Sequence, residues 1–348
     1  MKDLKYLLAY LPPLAAYAGI YYGGIWSPGS IYVGFVIIPI LEFLVPKSTE
    51  NHAAEMEPRR LSNRFFDFLL YLNIPILFGL LWYYFSTVAA GTHSAMEIIG
   101  MTFSVGLIIA IIGINVAHEL GHRNNKTEQS FSKLLLMTAL YMHFNIEHNR
   151  GHHKNVATDK DPASARKGET VYAFWWRSVW GSYLSAWHIE NKRLEKLGLP
   201  IFHWRNEMIW FQVIQLSYLI VVGMIFGWIM VPLAIAVAVL GFLQLETINY
   251  IEHYGLRRKK LSSGRYENVT PRHSWNSDHE VGRIVLYELT RHSDHHYKAN
   301  RKYQILRHMD ESPQLPYGYP MSMILSLVPP IWFGFMDEEV ERYNLRMV

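Results

Sequence analysis

The 33 lysines and arginines of this 348-residue chain avoid its long apolar runs, apart from Lys5 at the edge of the first. They also fall only on alternate connections between those runs. The runs span about 4–26, 31–45, 65–87, 98–117, 208–230 and 231–250. Most have the length needed to cross a hydrocarbon layer of about 30 Å; the second is short. The turn Ser27-Pro28-Gly29-Ser30, the segment Ser86–Glu97 and the turn Gly227–Pro232 contain no Lys or Arg. The basic residues sit at the N-terminus, in 46–64, in 118–205 and after 253. Cytoplasmic segments collect positive charge, so the pattern predicts six spanning helices with both termini inside. The expectation is an all-α integral membrane protein forming one catalytic domain over 1–348, with 118–205 and 253–348 as its cytoplasmic parts. The piece from Met321 to Phe335, broken by Pro329-Pro330, reads as re-entrant or interfacial.

Composition then removes several chemistries. No cysteine is present, which excludes disulfides, thiolate metal sites and iron–sulfur or rubredoxin-type centres within the chain. The formal charge of +4 needs no nucleic-acid partner, because topology already accounts for the basic residues.

What distinguishes the cytoplasmic parts is histidine. His118-Glu119-Leu120-Gly121-His122 follows the fourth run, and Glu147-His148-Asn149-Arg150-Gly151-His152-His153 comes next. His253 ends the sixth run, and His292-Ser293-Asp294-His295-His296 lies further on. On a regular helix His148 and His152, four apart, would share one face. Neutral imidazole binds iron, copper, zinc or nickel. Nine clustered histidines exceed the four or six positions of one ion, so the set predicts a dinuclear site in a cytoplasmic histidine-rich cap.

The other histidines, among them His143, His273, His279 and His308, read as structural or surface residues. His118-Glu119-x-x-His122 also matches the zinc-protease pattern, but that reading leaves seven clustered histidines unexplained. Glu119, Glu147, Glu252 and Asp294 stand beside candidate ligands, where they can orient imidazoles or bind metal themselves. Glu246 and Asn115, inside spans, either support the site by hydrogen bonding or make polar contacts between helices. A non-enzymatic metal transporter would carry its ligands at mid-membrane, whereas these gather at one end.

With those residues in place, the chain resembles the membrane-bound alkane 1-monooxygenase family, within the integral-membrane non-haem diiron desaturases and hydroxylases. The resemblance rests on the boxes His118/His122, His148/His152/His153 and His292/His295/His296. It rests further on the stretch Asn249-Tyr250-Ile251-Glu252-His253-Tyr254-Gly255-Leu256. It implies that His118, His122, His148, His152, His153, His253, His292, His295 and His296 bind two Fe ions. It further implies O2-dependent hydroxylation of the terminal methyl of medium-chain alkanes taken from membrane lipid. Electrons would come from NADH or NADPH through a rubredoxin reductase and rubredoxin, and the location would be a bacterial inner membrane. The patch Arg257-Arg258-Lys259-Lys260 could dock an acidic carrier, although positive-inside topology alone also explains it. Tyr17, Phe35, Trp82, Leu107 and Gly113 are candidates for setting chain length. Xylene-type monooxygenases and fatty-acyl desaturases or hydroxylases share the scaffold and remain the alternatives.

Overall fold

The computed structural model describes residues 2–345. The two chain ends, assigned above to the cytoplasm, lie outside the described residues. Among the described residues there is no β-strand. In chain order the main helices are α1 (Leu11–Tyr22), α2 (Gly29–Leu44), α3 (Arg64–Ala89), α4 (Ala95–Gly121), α5 (Lys126–Thr138), α6 (Val171–Lys196), α7 (Glu207–Phe226), α8 (Met230–His253), α9 (His292–Tyr297) and α10 (Pro329–Leu345).

Four of these, α3, α4, α7 and α8, are long and apolar enough to cross a membrane. They correspond to the third to sixth runs. α4 and α8 extend a few residues past the expected ends, so that His118 and His253 ride on the final helical turns. The first run does not form one α-helix: Lys2–Tyr10 is a 3-10 helix, and α1 begins only where Pro12 and Pro13 fit its first turn. Proline lacks an N–H, and the first turn of a helix needs none. The second run starts at Gly29 and includes a π-helical turn over Val33–Ile37. The polar stretch 118–205 contains the 26-residue α6. The Met321–Phe335 piece lies on two helices, Tyr319–Ser326 and α10, which parts from the first at Pro329-Pro330.

The described residues pack as two units. The first comprises the chain up to Ile37, Asn63–Ile146 and Ala186–Leu245. Its centre is α4, whose apolar window is 72% buried against 39% for α3 and 17% for α7. A Ser94–Glu97 capping box starts α4. Small and hydroxyl residues then allow close packing, the usual device between apolar helices. Ser30 N donates to Ser104 Oγ at 3.1 Å and Ser30 Oγ to the Ser104 carbonyl at 2.8 Å. A Cβ on Gly106 would meet Leu240 Cβ at 2.6 Å, and one on Gly241 would meet Ile109 at 2.5 Å.

The closest approach is between α1 and α2. A Cβ on Gly29 would lie 2.2 Å from the Ala15 carbonyl oxygen. Because that oxygen belongs to a helix backbone, it cannot swing aside as a side chain would. Gly29→Ala is therefore expected to cost about 1–3 kcal/mol, read as a lowered Tm of the detergent-solubilised protein.

The second unit comprises Ile38–Ser62, Glu147–Ser185 and the chain from Glu246 on. Much of it is irregular backbone, and buried arginines satisfy its carbonyls. Arg291 donates to Leu306 O at 2.7 Å and Glu50 O at 2.8 Å. Arg60 donates to Gln304 O at 2.8 Å and Arg283 to Ser48 O at 2.6 Å. These guanidiniums tie 46–62 to the segment bearing the last histidines, a fork-like role that lysine fills poorly. Around them Tyr250, Tyr254 and Trp332 form an aromatic core.

Candidate metal centre

In the second unit α8 delivers His253, α9 delivers His292 and His296 one turn apart, and the segment following Glu147 delivers His152. Their Nε2 atoms converge. The spacings are 3.2 Å for His152–His296, 2.9 Å for His296–His292 and 3.2 Å for His292–His253. Ligand atoms of all four lie within 4.8 Å of one another, and none of the four residues is more than 5% exposed.

A neutral imidazole carries one N–H. Four converging Nε2 atoms cannot each be satisfied by a neighbour's proton, whereas one cation accepts all four lone pairs. Metal–nitrogen bonds of about 2.1 Å place adjacent donors about 3.0 Å apart around an octahedral ion and about 3.4 Å around a tetrahedral one. The observed 2.9–3.2 Å lies nearer the first. This donor set fits a metal ion with positions left open.

The surroundings act on these imidazoles in opposite directions. His152 Nδ1 stands 2.9 Å from Asp161 Oδ2. Burial works against charge on His152, but the Asp161 carboxylate outweighs it and holds the imidazole above its usual range. Burial likewise opposes the Asp161 charge, and His152 more than offsets this, keeping the carboxyl below its usual range. For His296, burial and then the neighbouring imidazoles press the pKa well down, so its ring is neutral.

The three other clustered histidines of the second unit make a separate group. His153 Nε2 lies 3.0 Å from His148 Nε2 and 3.1 Å from His295 Nε2. The regular helix that would put His148 and His152 on one face is not formed, because His148–His152 winds as a π-helix; their rings stack with centroids 5.2 Å apart, but their Nε2 atoms join different groups. The i→i+5 hydrogen-bond register of the π turn brings His148 over His153 and sends His152 to the four-histidine set. Such turns often mark functional sites.

In the first unit His118 and His122 do share a helix face, with ring centroids 4.9 Å apart. The next residue, Arg123, is the hub of a buried network. It donates to Glu128 at 2.5 Å, Asp67 at 2.6 Å and Glu119 at 3.1 Å. Glu119 thus faces a guanidinium. Asn115 opens the α-helical turns that lead to His118.

The acids of the second unit also take definite positions. Glu252 Oε2 is 3.2 Å from His292 Nε2, the converging nitrogen, while Glu252 Oε1 accepts from the Tyr319 hydroxyl at 2.8 Å. Its carboxylate therefore stands among the donor atoms, not behind them. Asp294 accepts from Arg301 and from the Arg307 N–H at 2.9 Å. Glu246 accepts from Ser178 at 2.5 Å and Asn249 at 3.3 Å. Glu147 accepts from Ser185 at 3.3 Å, and burial pushes its pKa up. Asp161 and Tyr319 escaped the sequence reading: neither adjoins a histidine box, and no spacing rule reaches from His152 to Asp161.

Of the chain-length candidates, Leu107 and Gly113 are buried in the first unit, against Gly34 and Leu77 respectively. Tyr17 and Trp82 are more than half exposed; Tyr17 stacks on Tyr83 and Trp82 meets Phe226 edge-on. Phe35 is partly buried.

Comparison with known proteins gives the family. Residues 92–324 match the pattern of the fatty acid desaturase family. The chain is 40% identical to alkane 1-monooxygenase 2 of Pseudomonas aeruginosa, over 95% of this chain and 91% of that protein. It is 37% identical to alkane 1-monooxygenase 2 of Alcanivorax borkumensis, over 99% and 92% respectively. Identity falls to 26% with the xylene/toluene monooxygenase hydroxylase component of Pseudomonas putida, over 97% of this chain and 88% of that protein. With helices of membrane-spanning length, clustered imidazoles and this identity over nearly its whole length, the chain belongs to the alkane 1-monooxygenase family, within the fatty acid desaturase family.

Proposed function

We propose that this chain is an alkane 1-monooxygenase: it hydroxylates the terminal methyl of medium-chain alkanes with O2 at a pair of irons. The observation that carries the reading is the identity of about 40% to alkane 1-monooxygenases over nearly the whole chain. The lower identity to the xylene-type enzyme and the Asn249–Leu256 stretch favour alkanes over aromatic substrates.

One iron is assigned to His152, His253, His292 and His296, with Glu252 beside it. The other five clustered histidines, His118, His122, His148, His153 and His295, complete the proposed set of nine ligands for two irons. When bound, the irons supply the activation of O2, one atom of which enters a C–H bond while the other leaves as water. The imidazoles hold neutral nitrogen toward the metal. Asp161 and Tyr319 hold His152 and Glu252 in place. The buried Leu107 and Gly113 contribute to an apolar wall that accepts a chain without polar groups.

The same reading keeps six spans and a single catalytic domain. Lys2–Tyr10 and α1 together would extend roughly 36 Å and α2 roughly 24 Å, enough for a hairpin across or most of the way across a bilayer. The charge pattern supports a cytoplasmic site in a bacterial inner membrane. Electrons must come from a partner, because the chain has no cysteine for an iron–sulfur centre; rubredoxin with its reductase is the proposed source. Within the basic patch, Arg258 is engaged with the Glu267 and Lys154 carbonyls. Lys259 and Lys260 are the exposed pair left for docking.

The test is elemental analysis of the purified protein, followed by an octane assay with rubredoxin and reductase added. About two irons per chain and formation of 1-octanol are expected. One zinc per chain, with no iron taken up under anaerobic reconstitution, would overturn the reading.

A further inference from the structure

Asp161 lies in the loop between His153 and α6, and that loop is fixed from several directions. Ser164 Oγ donates to Asp161 Oδ2 at 2.5 Å and accepts from the Ala157 N–H at 2.8 Å. The Ala163 N–H donates to Asp161 Oδ1 at 3.2 Å. From α6, Arg177 donates to the Pro162 carbonyl at 2.9 Å and the Ser164 carbonyl at 3.2 Å. Gly181 permits this approach, since a Cβ there would lie 2.6 Å from Pro162 Cβ. After His253, the Gly255 and Arg258 N–H groups donate to the Ala165 and Ala157 carbonyls at 3.2 and 2.8 Å. Ala157 itself has φ of 58°, a left-handed conformation that persists in a non-glycine residue only where the surroundings enforce it.

All of this structure presents one carboxylate to one imidazole nitrogen. His152 Nδ1 meets Asp161 at 2.9 Å. The other members of the four-histidine set are held differently. His253 Nδ1 lies 3.5 Å from the neutral Ser274 hydroxyl, and its ring also hydrogen-bonds the backbone of His273, while His296 Nδ1 is buried without a hydrogen-bond partner.

We infer that Asp161 is a positioning residue for the four-histidine metal site: by accepting a hydrogen bond from Nδ1–H of His152 it fixes the tautomer and aims the Nε2 lone pair at the ion. The inference rests on the dinuclear reading above. It assigns the segment 156–166 a part in metal affinity, although the segment contains none of the nine clustered histidines. A carboxylate on the distal nitrogen also makes the imidazole a stronger donor, and loss of such a partner typically weakens metal binding roughly 10–100-fold.

The experiment is titration of the metal-free, full-length protein with cobalt(II) under anaerobic conditions, read as ions bound per chain and as the visible absorption of the bound ion. Wild type is compared with Asp161→Ala, Asp161→Asn and Ser164→Ala, each checked for helix content and monodispersity in detergent. Wild type is expected to bind two ions. Asp161→Ala should keep one ion at wild-type affinity and bind the other roughly 10–100-fold more weakly. Asp161→Asn, which retains an acceptor of the same shape, should bind both with an altered absorption band. Ser164→Ala should weaken one site by less than Asp161→Ala. Equal loss of both ions in a folded Asp161→Ala would mean a general structural role and overturn the inference. Two ions at wild-type affinity with the wild-type spectrum in both Asp161 variants would overturn it as well. Failure of the wild type itself to bind two ions would instead remove the dinuclear reading, and this inference with it.

Discussion

Replacing His292 with alanine is expected to abolish hydroxylation and to reduce iron from about two per chain to one or fewer. His292 is the most connected donor of its set. Its Nε2 is 2.9 Å from that of His296, 3.2 Å from that of His253 and 3.2 Å from Glu252 Oε2. Removing the ring takes away a ligand and also leaves a buried void beside a carboxylate and three lone pairs. The variant cannot recover by rearrangement, because the main chain on either side is fixed: Ser293 N donates to Asn276 Oδ1 at 2.8 Å, and Arg291 is held by Glu50 and Leu306. The check is iron analysis and gas chromatography of 1-octanol on the same preparation. Product formation above a few percent of wild type would remove His292 from the site.

The largest effect on stability is expected at Arg123. Its guanidinium is 5% exposed and meets Asp67, Glu119 and Glu128. Burial opposes its charge, but Glu119 and the other carboxylates outweigh that and raise its pKa. Arg123→Met would fill a similar volume while leaving three carboxylates facing one another without a cation. Breaking a buried pair from one side typically costs about 3–5 kcal/mol, which for a marginally stable protein is most of what holds it folded. A steep loss of folded protein in detergent is expected, partly reversed by adding Glu128→Gln, which removes one of the stranded charges. Normal yield and Tm in Arg123→Met would show that the network contributes little. Because Arg123 follows His122 and Glu119 follows His118, the variant should also lower iron content before it lowers helix content.

The parts of this architecture that obey a simple period were legible in the sequence. Apolar runs of about 20 residues without Lys or Arg gave the four long helices, because a membrane leaves backbone groups no alternative to internal hydrogen bonds. The i, i+4 spacing placed His118 beside His122. Where winding departs from 3.6 residues per turn, the reading slipped. The 3-10 start of the chain and the π turns depend on how neighbouring segments pack, which no single-sequence period records. The role of Asp161 was also hidden. It reaches His152 through a loop whose shape is set by Ser164, Arg177 and Gly255, residues far apart in the chain. Glu252 was recognised as important, but its orientation toward the converging nitrogens depends on the Tyr319 hydroxyl 67 positions later.

The π turn at His148–His152 bears on how motif length should be understood. In α9 the first and last histidines are four residues apart and their nitrogens meet at 2.9 Å across an ordinary turn. In the upstream box the corresponding residues are five apart and meet at 3.0 Å, because the backbone hydrogen bond there spans five residues instead of four. The two box lengths are thus one geometric device written at two pitches. Removing a single residue such as Asn149 from the upstream box should therefore redirect its histidines between the two groups without removing any of them. An insertion or deletion there would act as a change of ligand, while every histidine remained in the sequence.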